Sequence, residues 1–174
     1  MAANVSILEW NGTSGSQTST DKTSGTIRYK AADNATVDGN NPLVKPSTGN
    51  FRSFEKWTRL HIGATGPTGS ISSPRFYTDG ANSFGAGITA FIRTTNPGIY
   101  ATPATPANDT SGTDQFSFTS SSPKALDVAN SGPFSGTNTD FGDFAVIWMT
   151  LSTSVSAPQN PTASETLTYA YDET

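Results

Sequence analysis

The only histidine of the chain, His61, is the first residue to consider for catalysis. A serine–histidine–aspartate triad needs such an imidazole, but the sequence has no Gly-x-Ser-x-Gly segment to hold a nucleophilic serine. Ser121 and Lys124 have Ser-x-x-Lys spacing, yet Pro123 between them would distort the helical turn that brings these two groups together. His61 is therefore expected to be a surface or interface residue and not a catalytic base.

Pairs of acidic residues offer little more chemistry. Asp140 and Asp143 flank a Phe-Gly turn, where they are expected to cap the turn and not to act as a glycosidase pair. Asp33 and Asp38 lie in an acidic loop without EF-hand spacing, so calcium in an irregular loop stays open only as an alternative. The chain also lacks cysteine. We expect no catalytic residue, no cofactor and no bound metal, and therefore a protein that is not an enzyme.

The composition describes the scaffold that would position any site. Of 174 residues, 22 are Ser and 27 are Thr, with 16 Gly and 11 Pro, and only 14% are charged. Such a composition disfavours helices and favours short strands joined by many turns. No apolar run approaches the ~20 residues of a membrane span, and the first ten residues do not look like a secretory signal.

Alternation of apolar and polar residues predicts about eight strands. The predicted strands cover residues 5–10, 26–31, 57–62, 75–78, 88–93, 115–119, 144–151 and 166–171. Residues 144–151 are apolar on both faces, which predicts the central and most buried strand. The fold class is therefore all-β, as an antiparallel β-sandwich of jelly-roll type with long polar loops in a single domain, residues 1–174; an open barrel is the competing architecture.

Strand alternation also predicts the core and one exposed face. The predicted core residues are Leu8, Ile27, Leu60, Ile88, Ile92, Val146, Trp148 and Leu167. In the strand 57–62, burying Thr58, Leu60 and Ile62 would turn Trp57, Arg59 and His61 outward. An exposed tryptophan beside an arginine is typical of an interface anchor, so these three residues are the candidate interface. The inverted register, with Trp57 inside, is the alternative.

Three segments look too polar to pack: residues 12–25, 101–114 and 153–164. The Thr-Pro repeat in the second could form an extended arm that reaches a neighbouring subunit, or an exposed mobile loop. Charge is also uneven along the chain, because residues 45–93 carry six basic and two acidic groups whereas residues 94–174 carry one and eight. Complementary faces of this kind suit self-association as a dimer or trimer, although simple scatter explains them too.

Two parts of the chain carry a recognisable pattern. One is residues 53–62, which include Glu55-Lys56-Trp57, followed by the Ile-Ser-Ser-Pro-Arg-Phe-Tyr segment 71–77. The other is residues 144–151, a proline-containing loop, and the ending 165–173. Both parts resemble segments of structural proteins of tailed bacteriophage virions. The resemblance covers about half of the chain and carries no catalytic motif. Pro74 and the Thr-Pro segment after Tyr100 depart from the family pattern.

The resemblance implies a small β-sandwich of a phage particle. We expect a capsid cement or decoration protein located in the virion and assembled in the bacterial cytoplasm, with the major capsid protein as its partner. A tail or baseplate component is the alternative within this class. A carbohydrate-binding module is the alternative from another class, because Trp10, Trp57, Tyr77 and Tyr100 could stack on sugar rings. Duplex nucleic acid and membranes are not expected as partners, since the basic cluster is small and the acidic stretch would be repelled by phosphate.

Overall fold

The structure, a computed structural model, describes residues 2–155 and 164–174 and is nearly all β. All of its strand pairs are antiparallel. The strands are β1 Val5–Asn11, β2 Thr18–Asp21, β3 Asn50–Arg52, β4 Lys56–Ile62, β5 Ile71–Tyr77, β6 Ile88–Thr95, β7 Thr113–Asp114, β8 Lys124–Ala125, β9 Thr139–Ser152 and β10 Thr168–Glu173.

The strands form two sheets. The larger has the order β2-β1-β4-β9-β6-β7, with β3 also paired to β9, and the smaller has the order β10-β5-β8. Core side chains of β5 and β10 pack against those of β4, β6 and β9, so the two sheets face each other across an apolar layer. The predicted all-β sandwich is confirmed, whereas a jelly-roll topology is not established by this strand order.

Strand β9 organises the larger sheet, as its apolar sequence predicts. Every residue from Phe141 to Leu151 is buried. Ala145 and Ile147 lie in the layer between the sheets, on what we call the inner face. Phe144, Val146 and Trp148 alternate with them and point to the outer face, which is turned away from the smaller sheet. A strand that is buried on both faces needs a second cover, and residues 97–114 supply it.

Several strand predictions differ from the structure. Residues 26–31 are not a strand, and the side chain of Lys30 in this segment turns inward to contact Asn34 and Thr36 of the following loop. Residues 115–119 contain a 3₁₀ turn, Gln115–Ser117, whose N-cap Asp114 accepts a hydrogen bond from the Phe116 amide. Strands β2, β3, β7 and β8 were not predicted, since they are short and polar.

The predicted core is correct in five of its eight members. Leu60, Ile88, Ile92, Val146 and Trp148 are buried. Ile27 and Leu167 are only partly buried, although both pack against the core between the sheets. Leu8 is the clear error: it is partly buried and pairs with Arg59, which places it on the outer face of β1.

Candidate interface

Strand β4 has the register that its sequence predicts. Leu60 and Ile62 pack in the core with Ile71 of the smaller sheet, and the Thr58 and Tyr169 hydroxyl oxygens lie 2.7 Å apart, which links the two sheets. Trp57, Arg59 and His61 therefore lie on the outer face, and the inverted register is excluded.

Trp57 nevertheless does not reach solvent, so its predicted exposure is wrong. It is 1% exposed, because the rings of Tyr100 and Phe144 lie 5.2 and 5.4 Å from its own. The Arg93 guanidinium lies 5.3 Å from the indole, and the indole N–H donates to Glu55 at 3.1 Å. Trp57 belongs to a second small core on the outer face and cannot anchor a partner directly.

The segment that covers Trp57 is residues 97–114, which we call the clasp loop and which include the Thr-Pro segment 101–114. Its Pro103 is buried, and Ala104 accepts a backbone hydrogen bond from Glu55 at 3.0 Å. The Thr102 hydroxyl oxygen accepts a hydrogen bond from the Ser14 amide at 2.9 Å. This segment therefore packs on its own sheet through Pro103 and Ala104, and a contact of its exposed residues with a neighbouring subunit stays a prediction.

Asp109 fixes the far end of the clasp loop. Its carboxylate accepts two hydrogen bonds from Arg52, both at 2.9 Å, one from the Trp148 indole at 3.0 Å and one from the Thr150 hydroxyl at 2.8 Å. Burial alone would raise the pKa of Asp109, but the bonds from Arg52, Trp148 and Thr150 outweigh it and hold this pKa below its usual value.

Arg59 lies on the outer face and also contacts the backbone of β9, where the pairing of β4 with β9 is irregular. Its Nε donates to the carbonyl of Gly142 at 2.9 Å, and its guanidinium lies 5.5 Å from the Phe144 ring. The pairing of β4 with β9 shifts register beside this residue. Only a minor part of the Arg59 side chain, 12%, is exposed, so little of it is left for contact with a partner.

His61 lies in a row of polar residues across three strands. Ser6 of β1 is opposite His61, which in turn is opposite Asp140 of β9. The imidazole Nδ1 is 2.7 Å from Asp140, whereas the Ser6 hydroxyl interacts with the carboxylate of Asp21. These residue types are those of a catalytic triad. However, the serine is engaged by Asp21, and the neighbouring backbone is paired in the sheet, where it does not form an oxyanion hole.

The part of the outer face that the clasp loop leaves uncovered is a small surface, which we call the open patch. It consists of Ser6, Leu8, Arg59, His61 and Asp140, all partly exposed. The patch continues into β2, the edge strand of the larger sheet, whose four residues are all exposed. A partly exposed apolar side chain, the polar side chains around it and an adjacent edge strand are features that a protein partner can use.

In the acidic loop of residues 30–41, polar groups bond to one another and to lysine side chains. Asp38 accepts hydrogen bonds from Asn34, Asn40 and Asn41, while the carbonyl of Asn34 accepts one from Lys56 at 3.0 Å. Among residues 2–155 and 164–174, no group of three or more His, Asp or Glu side chains could hold a metal ion. The same residues include no helix that is long and apolar enough to cross a membrane.

Comparisons with known proteins add no relative. No family model matches the chain, and neither a curated protein nor a solved structure does.

Proposed function

We propose that this chain is a structural protein of a tailed-phage particle, a cement or decoration protein that binds the major capsid protein through the open patch. The observation that carries the proposal is the open patch with its adjacent edge strand β2. The resemblance in residues 53–62 and 71–77 supports it, since these segments contain β4 of the larger sheet and β5 of the smaller sheet.

The contact chemistry suits attachment by protein–protein binding. Leu8 can be buried by a partner, while Arg59, His61 and Asp140, which lie together, can form polar contacts at its edge. The exposed Ser and Thr of β2 leave backbone groups free for strand addition. Self-association as a dimer or trimer on the particle is part of the same proposal, and a tail or baseplate location is its nearest alternative.

A carbohydrate-binding module receives less support. Three of the four aromatic residues that could stack on sugars pack against each other instead: the ring of Tyr100 lies 6.4 Å from that of Trp10, at a tilt, and 5.2 Å from that of Trp57, edge-on. Tyr77 lies apart from them on β5. The Tyr100 hydroxyl donates to the Gly12 carbonyl at 2.9 Å. The three packed rings form the outer-face core and not an open platform, so we expect no binding on a glycan array.

We expect the substitution Leu8→Asp to weaken attachment to capsids at least about tenfold, because a charge would replace the apolar centre of the contact. Capsids that lack this protein are mixed with the purified chain, and binding is measured by co-sedimentation over a range of concentrations. Val37→Asp is the matched control, since Val37 is 77% exposed and lies in the loop at the opposite end of β4.

Both variants must first show the wild-type circular dichroism spectrum and melting temperature. Saturable binding by the wild-type chain and the control, with weakened binding by Leu8→Asp, is the expected pattern. Equal binding by all three would exclude the open patch as the contact. If the wild-type chain does not bind capsids at all, the proposed function itself is wrong.

A further inference from the structure

Three buried polar side chains lie together on the inner face, at the end of β1 and the start of β4. Lys56 is 0% exposed, Glu9 1% and Asn11 8%. Burying a lysine, a glutamate and an asparagine side by side is costly unless they are paired. The open patch does not include these residues, so their burial needs a separate explanation.

The register of the sheet brings the lysine and the asparagine together. Trp10 of β1 pairs with Trp57 of β4, so the next positions, Asn11 and Lys56, lie opposite each other on neighbouring antiparallel strands. Directly opposed residues have Cβ atoms about 5 Å apart and side chains on the same face. Glu9 lies two residues before Asn11 and therefore on that face as well.

Glu9 connects the other two side chains. Its Oε1 lies 3.4 Å from Lys56 Nζ and also 3.4 Å from Asn11 Nδ2. Asn11 Nδ2 donates a second hydrogen bond to Asp33 at 2.7 Å, so the amide nitrogen of Asn11 is held between two carboxylates. One carboxylate oxygen is thus placed to exchange a proton with both an amine and a carboxamide nitrogen.

Burial makes the amine of Lys56 easier to deprotonate than that of an exposed lysine. Burial lowers the pKa of Lys56, and the attraction of Glu9 and Asp33 offsets this only in part, while Lys22 lowers it further. The other contacts of Lys56 Nζ are the carbonyls of Ala32, at 3.3 Å, and Asn34, at 3.0 Å. A neutral lysine amine is a nucleophile, and a dry site protects it from competing water.

We propose that Lys56 and Asn11 form an intramolecular amide bond, with Glu9 as the proton carrier. The Lys56 Nζ lone pair attacks Asn11 Cγ, and a carbon–nitrogen bond forms. Glu9 takes a proton from the attacking nitrogen and delivers it to Asn11 Nδ2. The bond between Cγ and Nδ2 then breaks and ammonia leaves, so the amine and the carboxamide become one secondary amide plus ammonia, with no oxidant or cofactor required.

The other lysines of this region are less well placed for this reaction. Lys22 Nζ lies 3.6 Å from Glu9 Oε2, but it follows β2 and is not opposite Asn11. Lys30 donates to Asn34 and Thr36 within its own loop. Of these lysines, only Lys56 is completely buried, lies opposite a carboxamide, and contacts the same carboxylate as that carboxamide. The resulting link would join β1 to β4 covalently.

Intact mass measurement of the purified full-length chain tests the proposal directly. We expect a mass lower than that of the sequence by about 17 Da, the mass of one ammonia. Trypsin cannot cleave after a modified Lys56, so a digest should contain a branched peptide that joins residues 1–22 to residues 53–59. Glu9→Gln, which keeps the shape but removes the proton carrier, should restore the full mass, whereas Lys45→Arg at an exposed lysine should leave the loss unchanged.

Three results would overturn the proposal. A wild-type mass equal to that of the sequence means that Lys56 and Glu9 remain a simple ion pair. A loss of about 18 Da, the mass of water, would show that a carboxylate such as Asp33 is the partner and not Asn11. A linear peptide that has lost ammonia at Asn11 would indicate ring closure onto the Gly12 nitrogen. The wild-type measurement decides among these even if Glu9→Gln does not fold.

Discussion

Replacing Trp148 with alanine should lower the free energy of unfolding by about 3–5 kcal/mol, the range for a large buried aromatic side chain. Trp148 is 0% exposed and stacks on Phe91 with ring centroids 5.6 Å apart. Gly112 of the clasp loop passes directly over the indole, where even a Cβ atom would clash with the ring. The cavity left by the substitution therefore opens beneath the clasp loop as well as within the sheet.

Denaturant unfolding followed by far-ultraviolet circular dichroism measures this loss. Val128→Ala is the control, because Val128 is 75% exposed and its truncation should change stability by less than about 0.5 kcal/mol. An unfolding midpoint of the Trp148 variant equal to that of the wild type would contradict the burial of β9 on its outer face.

Replacing Asp109 with alanine should cost about 2–4 kcal/mol, because it removes an ionic partner of Arg52 and leaves the Trp148 indole N–H without an acceptor. The effect should depend on pH. The folded state holds the pKa of Asp109 below its unfolded value, so the stabilisation is fully present above the unfolded value, near 3.9, and is lost as the pH falls through the folded value.

The pH dependence separates this ionic role from simple packing. Unfolding of the wild type and of the Asp109→Ala variant is compared at neutral pH and at a series of acidic values. We expect the difference in free energy of unfolding between the wild type and Asp109→Ala to shrink as the pH falls. Asp114→Ala, at the N-cap of the neighbouring 3₁₀ turn, is the comparison variant. A difference that is constant down to the lowest pH at which both fold would rule out the charge of Asp109 as the cause.

The sequence predicts those parts of the fold that depend on local alternation. The apolar run in β9 correctly predicted the burial of that strand, and the alternation in β4 correctly predicted its register, because a shift by one residue would expose a whole apolar face. Local alternation did not predict the structure of the clasp loop or of residues 12–25, which contain β2. Their stability comes from single long-range contacts, such as Asp109 with Arg52, that no local pattern of Ser, Thr and Pro reveals.

The candidate site was predicted in part for the same reason. Alternation placed Trp57, Arg59 and His61 on one face, but it could not show that Tyr100, more than forty residues later, covers Trp57. The buried group of Glu9, Asn11 and Lys56 was missed altogether. Alternation does place Glu9 and Asn11 on one face of β1. That Lys56 lies opposite them follows only from the pairing of β1 with β4. The segment 153–164, which was also predicted to be too polar to pack, lies mostly outside the described residues.

The proposed role as a capsid protein is tested most directly by the number of copies of this chain in phage particles purified from cells that express its gene. Quantitative mass spectrometry against the major capsid protein gives this number. The cement role predicts hundreds of copies per particle, in a fixed ratio to the major capsid protein. A handful of copies would place the chain in the tail instead, and its absence from purified particles would contradict a structural role in the virion.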